Sequence, residues 1–244
     1  MTPDREKQEQ SSDSDEPASA RSGDSPRRRP QARGLRRVDA ILDATAALIA
    51  EEGIAGVTMH RVARRSATTT GSMYHFFPDR DSLLRALAER HRRDLRELVT
   101  RVERENAESW GRLTTDEAVG CFLDPFQAYV DRHPDLVPLS RLARAADPGG
   151  ARDEELQRLV IRLAEAVVAS RGGGASAAEV ASRAVAITAM AEGVMMAGSG
   201  DVAASPALRR ELRRAIAAYL DSYSTGAERA PARRARGPRR AVEN

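Results

Sequence analysis

The chain has 244 residues, with 39 Lys+Arg against 36 Asp+Glu for a net charge of +3, and is 41% hydrophobic, 4% aromatic and 31% charged. That length is ample for a buried core in one or two domains, and a balance rich in Ala, Leu, Val and Arg argues for a helical protein and against an all-β sandwich. A single cysteine, Cys121, excludes an intrachain disulfide framework and a Cys-clustered zinc site, and with no apolar run near 18 residues and no signal-peptide core a cytoplasmic protein off the membrane is expected.

Residues 1–34 are rich in Ser, Pro, Asp, Glu and Arg without apolar periodicity, so a disordered N-terminal arm is expected there. Val38, Ile41, Leu42, Thr45, Leu48 and Ile49 then recur at helical spacing, and Gly53 ends that helix. A short helix follows from Thr58 to about Arg65, and a second from Thr69 to Phe76. Pro78 and Asp79 open a long helix over roughly 80–107 that carries Leu83, Leu84, Leu87, His91, Leu95, Leu98 and Val102.

Further on, Thr114–Glu117 and Ser176–Glu179 read as capping boxes, Pro134 and Asp153 begin helices, and Ser205-Pro206 pairs a cap with Pro at the first helical position. Pro148-Gly149-Gly150 and Gly172-Gly173-Gly174 are loops. From Thr225 the chain is expected to be a disordered basic tail. Nine helices and no strand are expected.

Charge is uneven along this order. Residues 31–90 hold nine basic and seven acidic residues, and residues 225–244 hold six and two. That is the asymmetry of a chain with one part facing an anion. Arg27, Arg28, Arg29, Arg33, Arg36 and Arg37 form a basic arm ahead of the first helix, expected to strengthen such binding electrostatically.

The stretch TMHRVARRSATTTGSMYHFFPDRDSL, from Thr58 to Leu83, carries the chemistry. Met59, Val62 and Ala63 form the inward face of the first short helix, Met73 and Phe77 that of the second. The second helix then exposes Thr69, Thr70, Ser72, Tyr74 and His75, small polar groups and a phenol. A helix lying in a major groove needs such groups for base edges and phosphates. Gly71 lets its backbone come close to a ligand.

This stretch resembles the DNA-binding domain of TetR-family transcriptional regulators. The first helix matches in Ile41-Leu42-Asp43-Ala44 and Leu48-Ile49-Ala50-Glu51-Glu52-Gly53. The motif matches at Thr58, Ala63, Gly71, Tyr74, Phe77 and Leu83, with close substitutes at Met59, Val62, Thr69, Ser72, Met73 and Arg80. It departs at Ala67, where the family has a turn glycine, at Thr68 for an apolar residue, at Arg61 for an acid, and at Phe76 for a histidine.

The resemblance implies an all-α fold. Residues 35–95 would form an N-terminal three-helix helix-turn-helix domain, its motif at about 58–77, and residues 96–224 a C-terminal helical ligand-binding and dimerisation domain. It implies a homodimeric, ligand-responsive repressor that leaves a palindromic double-stranded operator when an unknown small molecule binds. Thr58, Thr69, Thr70, Gly71, Ser72, Tyr74, His75 and Arg80 are its expected DNA-binding residues, with Tyr74 and Arg80 on phosphate.

Two rivals remain: a non-specific architectural DNA-binding protein and a small all-α enzyme. No nucleophile–base pair or metal-ligand spacing supports the enzyme, so no catalytic residue, metal or cofactor is expected. For the effector, the few aromatic and adaptable apolar residues of the second half are the candidate lining: Trp110, Phe122, Phe126, Tyr129, Met190 and Met195. Glu192 sits in an apolar stretch beside the methionines and needs a partner, for which a cationic ligand is one candidate. The stripe Leu208, Leu212, Ile216, Tyr219, Leu220 and Tyr223, with the small-residue helix before it, is the expected dimer surface.

Overall fold

A computed structural model describes residues 28–146, 153–171, 174–197 and 205–228. Among these residues there are nine α-helices and no strand: α1 (Arg28–Glu52), α2 (Met59–Arg65), α3 (Thr70–Phe76), α4 (Arg80–Asn106), α5 (Thr115–Arg132), α6 (Leu136–Ala146), α7 (Glu154–Ala169), α8 (Ala177–Ala197) and α9 (Pro206–Glu228). Single 3-10 turns occupy Ile54–Gly56 and Trp110–Arg112. No described helix is long and apolar enough to cross a membrane.

The helices begin where side chains replace missing backbone partners. Thr58 accepts from the Arg61 amide and Thr69 from the Ser72 amide. Thr114 with Glu117, and Asp79 with Ser82, close reciprocal capping boxes. Ser176 and Glu179 exchange the same pair of bonds at the head of α8. Asp153 accepts from the Leu156 amide.

Two boundaries differ from expectation. Helix α1 starts at Arg28, inside the expected arm. Arg, Gln and Ala are good helix formers that extend an existing helix, and Pro30 in the first turn forfeits no helical hydrogen bond. Helix α9 continues to Glu228, into the expected tail. The remainder of the arm and of the tail, the Pro148-Gly149-Gly150 loop, and Gly172 and Gly173 lie outside the described residues.

Contacts divide the chain into a segment up to Arg36, where Arg33, Leu35 and Arg36 are exposed, and a unit from Arg37 onward. That second unit contains two apolar cores. The first joins Ile41, Leu48 and Ile49 of α1, Val62, Met73 and Phe77 of the helix-turn-helix, Leu83, Leu84 and Leu87 of α4, and Leu139 of α6. The second joins Leu98 and Val102 of α4 to Phe122, Leu163, Val167, Ile187, Ile216 and Leu220. Helix α4 therefore belongs to both, and α6 reaches back to the first.

Salt bridges brace the frame. Arg61 and Arg65 grip Glu52 and Glu51 at the end of α1, and Arg90 of α4 holds Asp43 at 2.6 Å. Arg61 is thus no liability at its helix start, because Glu52 neutralises it. Arg213 of α9 bonds Asp116 at 2.8 Å and Arg209 bonds Asp131 at 2.6 Å, both on α5.

Between α2 and α3, Ala67 stands at φ +50°, the left-handed region. A side chain there costs about 1–2 kcal/mol. Ala67→Gly is expected to raise stability by about 0.5–1 kcal/mol after the added freedom of the unfolded chain is offset, read as a higher melting temperature. Thr68, at an apolar position of the family pattern, is buried and donates its hydroxyl to the Ser66 carbonyl at 3.3 Å.

Candidate nucleic-acid interface and cavity

Helix α3 is held from beneath by Met73, which is fully buried, and by Phe77 at its end. With that face fixed, Thr69, Thr70, Gly71, Tyr74 and His75 are exposed, Tyr74 by half. Ser72 is half-buried and accepts from Arg37 of α1 at 3.3 Å, which brings a guanidinium to the flank of α3. A Cβ added at Gly71 would meet nothing within 4 Å. His75 meets Phe76 edge to face at 5.3 Å, so the phenylalanine at the family's histidine position supports this surface from its side.

Two expected members stand differently. Thr58 is exposed, but its oxygen caps α2. Arg80 faces inward: its Nε donates to the Val57 carbonyl at 2.9 Å and a terminal nitrogen to the Ile54 carbonyl at 2.7 Å. Those carbonyls belong to the turn between α1 and α2, so Arg80 ties that turn to α4. The two bonds engage two of the five guanidinium N–H donors and fix the side chain against that turn.

In the second core a cavity of about 400 Å³ opens between α4, α5, α6, α7 and α8, and Leu212 of α9 lines it too. That is within the size range of small-molecule sites. Phe122, Phe126 and Met195 line it as expected, with Leu95, Val130, Leu136, Leu156 and Val160 adding to the apolar wall. Trp110 does not reach it; the ring is buried elsewhere in the same core, and its carbonyl accepts from Arg171. Met190 packs half-buried against that core without lining the cavity. Glu192 does line it, yet its partner is Arg144 of α6, 48 residues earlier. The acid therefore needs no cationic ligand.

Tyr129 stands behind the wall, in a buried polar cluster that sequence spacing did not reveal. His91 of α4 is 2% exposed, with Nδ1 2.8 Å from the Tyr129 hydroxyl and Nε2 2.8 Å from Asp135 Oδ2. The Tyr129 hydroxyl also lies 3.5 Å from Asp94, and the His133 ring stacks 4.3 Å from that of Tyr129. Burial, with the nearby Asp94 and Asp135 charges, pushes the Tyr129 phenol well above its ordinary value, so it stays a neutral donor. Burial alone would raise the Asp135 carboxyl, but the hydrogen bond and charge of His91 outweigh it and hold the acid below its ordinary range. Burial lowers His133, and the charge of His91 adds to that. The cluster joins α4, α5 and the start of α6 beside the cavity, which His91 itself lines.

On the far side of α8, Ser182, Val185, Ala189 and Gly193 are exposed at helical spacing, Val185 by half. Ala215, Ala218, Ser222 and Tyr223 are exposed on α9. Arg183 lies 3.7 Å over the Tyr223 ring. The expected dimer stripe is corrected here: Leu212, Ile216 and Leu220 are 5%, 0% and 2% exposed within one chain and fill its own core.

Comparison with known proteins adds the family. The model for "Bacterial regulatory proteins, tetR family" matches residues 41–87, and a "Tetracyclin repressor-like, C-terminal domain" model matches residues 114–220. The chain belongs to the TetR family. The helix-turn-helix just described lies wholly inside the first match, and the cavity helices α5, α6, α7 and α8 inside the second.

This TetR-family chain is 39% identical over 72 residues to the HTH-type transcriptional regulator BetI of Paraburkholderia xenovorans, covering 30% of this chain and 36% of that protein. It is 41% identical over 69 residues to BetI of Burkholderia cenocepacia, covering 28% and 35%. The match thus spans about a third of these relatives' length. Among solved structures, a TetR transcription regulator from Haloarcula marismortui aligns with a TM-score of 0.60 at 16% identity, over 77% of this chain and 98% of that one. FadR of Bacillus subtilis, solved with stearoyl-CoA, aligns with a TM-score of 0.52 at 13% identity, over 76% and 98%. At these identities the likeness is one of fold.

Proposed function

We propose that this protein is a ligand-responsive transcriptional repressor. It binds a palindromic operator as a homodimer, with α3 of each copy in the major groove, and a small molecule in the C-terminal cavity releases it. The observation that carries the reading is α3 itself: a helix pinned by Met73 that turns Thr69, Thr70, Gly71, Tyr74 and His75 outward, inside the residues of the family match. Its partner, double-stranded DNA, places the protein in the cytoplasm, and no catalytic role is proposed.

Base edges are met by Thr69, Thr70, Ser72 and His75, and phosphate by Tyr74, aided by Arg37. Release requires that the effector prefer the conformation that DNA does not. Helix α4 is the shared element, because it contributes to the helix-turn-helix core and also lines the cavity. The dimer surface is the exposed face of α8 and α9 around Val185, Ala189 and Ala218. Small residues there let two helix pairs approach closely into a four-helix bundle.

The test is selection of an operator from a random DNA pool, then retardation against excess random duplex at about 150 mM salt. A specific regulator prefers its site by about a thousandfold or more, whereas an architectural protein shows no such preference. On that operator, Thr70→Ala is expected to shift preference at one base position by about 1–3 kcal/mol, while Tyr74→Phe weakens all sequences alike. Gly71→Ala serves as a control on mechanism. The added methyl finds open space in the free protein, so operator affinity should fall while the melting temperature holds or rises. Unchanged affinity in all three variants would remove α3 from the interface.

A further inference from the structure

Every charged side chain on the cavity wall is already matched within the protein. Arg144 pairs with Glu192 across α6 and α8. Asp153 takes Arg96 and caps α7, while Arg92 bonds Glu89 at 2.9 Å and lies 3.9 Å from Asp153. His91 is engaged on both nitrogens by Tyr129 and Asp135. The neutral polar side chains of the wall are in the opposite condition. Gln127 of α5, Ser140 of α6, Gln157 of α7 and Thr188 of α8 all line the cavity, and none has a side-chain hydrogen bond among the described residues. The Thr188 hydroxyl is buried without a partner.

A buried hydroxyl left unpaired, as at Thr188, is costly, and the half-buried Gln127, Ser140 and Gln157, also without a side-chain hydrogen bond, converge with it from four helices on one apolar space as a constellation awaiting a ligand. We infer that the effector is an uncharged, largely apolar molecule whose hydroxyl, carbonyl or amide groups are held by Gln127, Ser140, Gln157 and Thr188. This rests on the reading of the cavity as the effector site. An anion captured by Arg144 must displace Glu192, and a cation captured by Glu192 must displace Arg144. Either exchange breaks one ion pair to make another, so net charge on the ligand adds no new pairing. A neutral polar group instead finds partners with no bond to break, and amides and hydroxyls both donate and accept.

The experiment measures binding of 1-decanol, decanoate and decyltrimethylammonium, below their micellar concentrations, to the full chain by titration calorimetry at neutral pH. These probes share one tail and differ in head charge. Decanol is expected to bind about tenfold more tightly than either ion, and Thr188→Val with Gln157→Leu to weaken decanol by about fivefold or more while leaving the ions unaffected. Val160→Trp, which fills the cavity, should abolish decanol binding and so locate it. Either ion binding as tightly as decanol, no binding by any probe, or decanol affinity unmoved by the double substitution overturns the inference. Operator retention, measured alongside, separates this from the effector reading. An ion that binds the cavity and releases operator leaves that reading standing while the neutral-ligand inference falls. Decanol that binds with the expected selectivity yet leaves the operator bound supports the ligand class and counts against the reading.

Discussion

Ile216→Glu with Leu220→Glu is expected to unfold the C-terminal core, whereas Val185→Glu with Ala189→Glu should leave a folded monomer that has lost its operator. Both pairs put two carboxylates on neighbouring helices, so the contrast is decided by surroundings alone. Ile216 and Leu220 are 0% and 2% exposed and touch the apolar core with Leu212 and Ile187. An uncompensated charge at either place costs several kcal/mol, and two together approach the whole stability of a typical domain, about 5–15 kcal/mol. Val185 and Ala189 stand on the exposed face of α8, where a glutamate in the free chain costs almost nothing. In a symmetric dimer it would oppose its own copy across the two-fold axis, with four carboxylates brought together. Far-ultraviolet circular dichroism and sedimentation velocity read the two outcomes separately. A folded monomer from the first pair, or an intact dimer from the second, moves the interface elsewhere.

The second large effect is at the His91–Asp135 pair. Asp135→Ala leaves a 2%-exposed imidazole with one ring nitrogen unpaired and should cost about 3–5 kcal/mol of stability. Asp135→Asn retains an acceptor and should cost roughly a third of that. The pair also sets a pH dependence. A carboxyl held below its ordinary 3.8 contributes stability above that value and loses it as pH falls through the folded value. His133, whose ring packs against those of His91 and Tyr129 and whose value is lowered from 6.5, likewise favours the folded state only while neutral. Both contributions therefore act in one direction. The melting temperature should decline as pH drops below 6.5 towards the lowered value of His133, and again as pH drops below 3.8 towards the lowered value of Asp135. In Asp135→Asn the lower step should shrink, the part from other lowered carboxylates such as Asp116 and Asp131 remaining, and the upper one persist. Because the pair ties α4 to the start of α6, the same variants are expected to change how strongly effector and operator exclude one another, measured as the ratio of operator affinities with and without ligand.

Much of this protein is local physics and could be read along the chain. Thr58, Thr69, Thr114, Asp153 and Ser176 each cap a helix through bonds to the residue three positions on, so spacing alone locates them. The inward positions of α2 and α3 follow from the 3.6-residue period, and with those helices came the outward set around Tyr74. What spacing could not supply is the partner of a side chain that reaches another element. Arg80 finds carbonyls 23 and 26 residues back, Glu192 an arginine 48 residues back, and His91 an aspartate 44 residues ahead. The dimer stripe failed for a related reason. Helix α9 carries apolar residues whose periodicity shows that one face is covered, but not whether its own chain or a second copy does the covering. Helix α8 is so evenly furnished with alanine that its pattern names no inner face at all. Sequence by itself therefore determined the helices, their caps and the helix-turn-helix, because these depend on neighbours within one turn. Only the tertiary structure decided which charges are spent, which hydroxyls and amides are left open in the cavity and which face of α8 remains free, because those depend on pairings between elements that the chain brings together only when it folds.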